Sequence, residues 1–206
     1  GPGQRAWHAD QAARIVAQAE ESQREALRLQ DLAYAAHLQA IQARVAAFGH
    51  DTPDLVAAAK AAGAAEDAAY ATAAAAWQET ADTLGQAQAL ISEQDADLRN
   101  RVRLARARAL VRSGDIGSGA NDLEDLLEAM DTPAKRDSAL AIAARTELAT
   151  AYYYGARLMR LAGKPSADWR EVAGRARQNY RYLAELARAT GASAETRSSM
   201  ASTAGD

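Results

Sequence analysis

The chain of 206 residues contains no cysteine. That removes disulfides, thiolate metal sites and cysteine nucleophiles together, and leaves the redox compartment open. There is a single Phe, and the 13 Gly and 4 Pro are scattered. Scattered breakers exclude a collagen-like repeat and a long flexible linker. Lysine occurs three times, so arginine carries nearly all the positive charge, a bias shared with proteins of GC-rich bacterial genomes. No apolar run approaches the roughly 18 residues a membrane span needs, so membrane insertion is not expected. Nucleophile elbow, Walker-type loop and dinucleotide fingerprint are all missing. An enzyme is therefore not expected, and neither is a cofactor.

The opening Gly1-Pro2-Gly3 resembles the scar of a removed tag, with no initiator Met before it. The expected location stays open: cytoplasmic, or extracytoplasmic after removal of an N-terminal signal or anchor.

What the chain has in excess is alanine, about a quarter of its residues. Alanine has the highest intrinsic helix propensity, so nearly every segment is biased toward helix. Small side chains let helices approach closely but bury little area each. Three Trp, seven Tyr and the aliphatic positions must supply the large anchors. The net charge of −3 is unevenly spread. Residues 1–95 carry 6 basic and 13 acidic side chains, and residues 96–206 carry 18 basic and 14 acidic. Halves of opposite sign suggest two substructures.

These features predict an all-α fold: a long antiparallel helical hairpin over 1–95, helical hairpins over 96–191, and a flexible polar tail over 192–206. From Gln4 to Phe48 nothing breaks a helix. Leu27, Tyr34, Ile41 and Phe48 recur every seven residues, with Leu38 and Val45 between them, an a/d seam. Gly49, Thr52, Pro53 and Asp54 then read as a helix stop followed by a start. Leu55 to Ile91 repeats the seven-residue period in Tyr70, Trp77, Leu84 and Ile91, with Ala74 and Ala81 interleaved. The two seams are expected to face each other. Further helices are predicted over Asp97–Arg112, Ser118–Met130, Pro133 to about Ala162, and Ser166 to about Thr190.

Within the C-terminal half, Ala107, Leu110, Gly114, Asp115 and Ile116, then Ala120, Leu123 and Leu127, follow a helix–turn–helix pattern. Ala156, Met159 and Gly163, then Trp169, Ala176, Tyr180 and Leu183, give a looser copy. Residues 97–190 thus resemble a degenerate tetratricopeptide-repeat array. Arg103 and Arg106 replace the family's large apolar residues, and the helix from Pro133 exceeds the standard unit. The resemblance implies a scaffold with a concave face that binds peptides.

The residues with chemical potential have structural readings of their own. His8, His37 and His50 show no metal-ligand spacing, so no metal site is expected. His50, Asp51 and Asp54 coincide with a capping turn, and His37 flanks the seam. Gly114-Asp-Ile-Gly-Ser-Gly119 is Gly-rich before a helix, but no strand precedes it, so a turn is favoured over an anion cradle. Arg99, Arg103 and Arg106 form one row of the third helix; Arg101, Arg108 and Arg112 form another, with Leu104, Ala107 and Val111 inward between them. Split rows and a pI near 5.7 argue against nucleic acid. Pairing with Asp122, Glu124, Asp125 and Glu128 of the next helix is expected instead. Tyr152-Tyr153-Tyr154 points in three directions, with Tyr152 inward.

The expected function is a protein-interaction scaffold or adaptor for a protein or peptide partner. Its candidate partner-binding residues are Tyr153, Tyr154, Arg157 and Arg181, joined by Arg106 and Arg108. The alternative is a self-assembling helical protein, a homo-oligomer that pairs through the N-terminal hairpin.

Overall fold

The computed structural model describes the backbone of residues 1–50 and 52–203, and the side chains of 1–50 and 52–191. It is all-α, with six helices among the described residues. They are α1 (Pro2–Ala47), α2 (Pro53–Leu90), α3 (Ala96–Ser113), α4 (Ile116–Ala129), α5 (Ala139–Leu161) and α6 (Ser166–Thr203). The chain divides into two compact units, Gly1–Gly119 and Ala120–Asp206, so α3 groups with the first two helices.

In the first unit the turn chemistry follows the sequence. Gly49 takes φ 74°, a left-handed conformation without cost only for glycine, and Pro53 opens α2 with Asp54 in its first turn. The pairs Ser22–Thr80, Gln30–Trp77 and His37–Glu66 step down α2 as they step up α1, so the two helices run antiparallel.

Their interface corrects the expected seam. The buried positions of α1 are Ala12, Ala19, Ala26, Ala33 and Ala40, an alanine every seven residues. Tyr34, Leu38, Ile41 and Val45 instead stand 40–69% exposed, with Phe48 at 87%. On α2 the expected ladder is inward for Trp77, Leu84 and Ile91, while Tyr70 remains 44% exposed. The physical reason is complementarity of size. Trp77 packs on Ala26 and Ala81, and Leu84 and Ile91 on Ala12 and Ala19. Large side chains on one helix fill the shallow alanine surface of the other. Two facing ladders of large residues would force the axes apart.

α3 closes the base of the hairpin. Val102 joins the cluster of Leu84 and Ile91, while Ala109 and Leu110 join that of Trp77. Asp95 caps it, accepting from the Leu98 amide at 3.3 Å, and Gly114 ends it at φ 97°. The Gly-rich turn is structural. Asp115 accepts from the Ser118 amide, and a Cβ on Gly119 would lie 2.5 Å from Val111 Cγ2.

In the second unit, α5 and α6 run antiparallel, joined through Gly163 at φ 70°. The contacts Arg145–Tyr182, Tyr152–Arg175 and Arg160–Trp169 step down α6 as they step up α5 and fix their register. The helix expected from Pro133 begins six residues later. Thr132 O accepts from Lys135 N and Arg136 N, making one isolated turn, and Arg136 binds Asp131 at 2.7 Å. Ser138 then supplies the cap, its hydroxyl accepting from the Ala141 amide. At the other end α6 continues past Gly191 to Thr203. Gly191 keeps negative φ, a conformation through which the helix continues. Of the tail expected over 192–206, residues 204–206 lie outside the described residues.

Candidate functional site

Two clusters of exposed large side chains stand out, one in each unit. The first is the outward seam of α1. The second lies on α5, where Tyr153 is 53% exposed, Tyr154 49%, Leu158 54% and Leu161 74%. Tyr154, Leu158 and Leu161 sit at i, i+4 and i+7, one helical stripe. Beside it run Tyr153, Arg157 and Arg160. The remainder of the α5 surface holds the buried Ala141, Leu148, Ala149 and Ala156, so the stripe is not needed for packing. Tyr153 and Tyr154 meet edge to face at 5.5 Å. Tyr152 is only half-buried, with Arg175 5.9 Å from its ring.

The structure separates Arg181 from these tyrosines. Contacts such as Tyr152–Arg175 and Arg160–Trp169 set Tyr153 level with residues near 174. Arg181 is exposed about two turns, roughly 10 Å, further along α6. Arg157 is exposed within the patch. Arg106 and Arg108 belong to the first unit and are half-buried. Arg106 lies along Gly85, its Nε 3.3 Å from where a Cβ would stand. The Arg-rich helix is largely used internally: Arg99 lies 3.8 Å from Glu93, and Arg112 stacks 4.9 Å from Trp77. Glu124, an expected partner of that helix, is 3.9 Å from Arg175 of α6.

Arginine–aromatic stacking ties α5 to α6. Arg160 and Arg170 lie 5.5 and 5.3 Å from the Trp169 ring, and Arg145 lies 4.2 Å from Tyr182. The Tyr182 hydroxyl donates to Asp137 at 2.5 Å. That hydrogen bond, then burial, pushes the phenol above its ordinary value.

A polar cluster interrupts the alanine interface of the hairpin. Glu66, nearly buried on α2, accepts from His37 Nδ1 at 2.5 Å and from Arg44 at 2.8 Å. The hydrogen bond from His37, aided by Arg44 and opposed by burial, holds the Glu66 carboxyl below its ordinary range. Tyr34 and Tyr70 flank the His37 ring. Every charge in the cluster has its counterpart, so it is a polar clasp between two helices rather than a reactive site.

Among the described residues no group of three His, Cys, Asp or Glu side chains converges to hold a metal ion. His50 lies in the turn and Asp54 in the first turn of α2, and Asp51 lies outside the described residues. No described helix is long and apolar enough to cross a membrane.

Sequence reasoning did not single out Leu158 and Leu161, although their spacing from Tyr154 is visible in the sequence. Glu66 gave no sequence signal, since nothing marks one acidic residue of an exposed-looking run as inward. No family model matches the chain, and neither does any of the curated proteins or solved structures compared with it.

Proposed function

We propose that the protein is a non-enzymatic helical scaffold or adaptor subunit that binds a protein or peptide partner through the outer face of α5. The observation that carries the reading is the stripe of Tyr154, Leu158 and Leu161, all about half-exposed or more, bordered by Tyr153 and Arg157. Tyr and Arg are enriched at binding hot spots because they combine contact area with directional donors. Scattered exposed apolar residues need no explanation, but a continuous stripe rimmed by polar groups marks a contact site. The basic rim selects for a partner that is apolar on one side and acidic at its edges. Arg181, about two turns along α6 from these tyrosines, is left out of the proposed contact, as are Arg106 and Arg108, which belong to the other unit.

The tetratricopeptide-like reading of residues 97–190 belongs to the same proposal. It rests on the sequence pattern of residues 107–127 and 156–183.

Peptides selected for binding from a displayed random library test the proposal. They should be amphipathic and acidic. The double substitution Tyr154→Ala with Leu158→Ala should weaken them at least about tenfold, or 1.4 kcal/mol, at unchanged melting temperature. Peptides indifferent to both substitutions in a folded protein would move the site elsewhere.

A further inference from the structure

The outward face of α1 carries Tyr34, Leu38, Ile41, Val45 and Phe48 at alternating spacings of four and three, preceded by Leu27. That is the a/d period of a coiled coil. The protein's own packing does not use it: α1 meets α2 through the alanines, and the six seam residues are 39–87% exposed. Each seam residue lies roughly 100–140° around the helix from the alanine one or five residues before it, so an approaching helix would not displace α2. Its N-terminal limit coincides with the end of α3. Ser113, the last residue of α3, bonds Gln78, and Trp77 beside it bonds Gln30. N-terminal to Leu27 the same face carries exposed Asp10, Glu20 and Arg24. Apolar character begins where, within this unit, the hairpin stands as two helices alone.

We propose that this seam pairs antiparallel with the same seam of a second copy of the chain, around a twofold axis near Leu38 and Ile41. The pattern is self-complementary in that register. Leu38 faces Ile41 of the other copy, and Tyr34 faces Val45. Four consecutive layers are then wholly apolar. Asp31, the charge that falls within the seam's period, sits at the outer ends beside Phe48, open to water. Along the flanks Arg28 meets Gly49 and Ala35 meets Gln42, while His37 and Arg44 already have Glu66 beside them. A parallel pairing would set Asp31 against Asp31 within the seam, and like charges in register are disfavoured. A twofold contact of one patch with itself closes at two copies.

Sedimentation of the full chain from micromolar to submillimolar concentration should show a monomer–dimer equilibrium. Leu38→Glu and Val45→Glu, both at exposed positions, should each weaken it at least about tenfold with helical content unchanged. Because the chain lacks cysteine, a spin label on Asp31→Cys reports the orientation. The antiparallel register offsets the two labels by about 25 Å along the axis, from roughly 17 residues at 1.5 Å each. A chain that stays monomeric throughout overturns the proposal and leaves the seam to a foreign helix or a lipid surface. A dimer untouched by both substitutions, or one with labels side by side, overturns it equally.

Discussion

Ala33 and Leu38 stand five residues apart on α1, and the smaller of them is the buried one. The inversion has a cause at the level of single side chains. Trp77, fully buried, fills the space that Ala26 and Ala81 leave open, and its indole N–H donates to Gln30 at 3.1 Å. Thr80, also fully buried, gives its one proton to the Ala76 carbonyl and therefore accepts from Ser22. Neither polar atom is left unsatisfied, which makes their burial tolerable. Substitutions should follow this pattern. Trp77→Ala should cost about 3–5 kcal/mol, as truncated core aromatics do. Ala33→Leu should cost about 1–3 kcal/mol by overpacking the helix contact. Leu38→Ala should stay near the roughly 0.5 kcal/mol typical of surface changes. Urea unfolding of dilute protein checks all three, and a Leu38 loss rivalling that of Trp77 would place the seam inside.

For the helices, the boundaries set by dedicated turn residues were legible in advance: Gly49, Pro53 and Gly114 stop and start helices as their chemistry dictates. The start of α5 was not, because Asp131-Thr132-Pro133 carries the same residues as a working cap. The Arg136–Asp131 ion pair and the Ser138 cap that override it depend on three-dimensional geometry. The buried face of α1 was hidden for another reason. An alanine ladder contributes almost nothing to hydrophobic contrast, so the larger residues dominate any periodicity, whichever way they point. On the α5–α6 pair the exposed Tyr153 and Tyr154 were legible as a triplet that cannot all turn inward, whereas the axial offset of Arg181 required the register of both helices.

Glu66 supplies a prediction at this scale, since it joins α1 to α2. Its carboxyl is held below the ordinary 4.5, so the unfolded chain binds that proton more readily than the folded one. The stabilisation is therefore present above pH 4.5 and is lost as the pH falls through and below it. Glu66→Gln should flatten this acid limb. Wild type and variant should converge in stability as acid is added, and a constant difference across that range would show that the carboxylate charge is not what matters.

The molecule as a whole combines an acidic N-terminal stretch with a basic C-terminal one, and each unit turns a run of large side chains outward. Alanine makes both possible: helices that pack through small residues leave their aromatic and branched residues for other contacts. Hydroxyl-radical footprinting of dilute, monomeric protein tests this distribution directly. Tyr34, Leu38, Phe48, Tyr154 and Leu158 should be modified readily, while Trp77, Leu84 and Leu148 stay protected. Protection of Tyr34 and Leu38 in the monomer, with Trp77 oxidised, would contradict it.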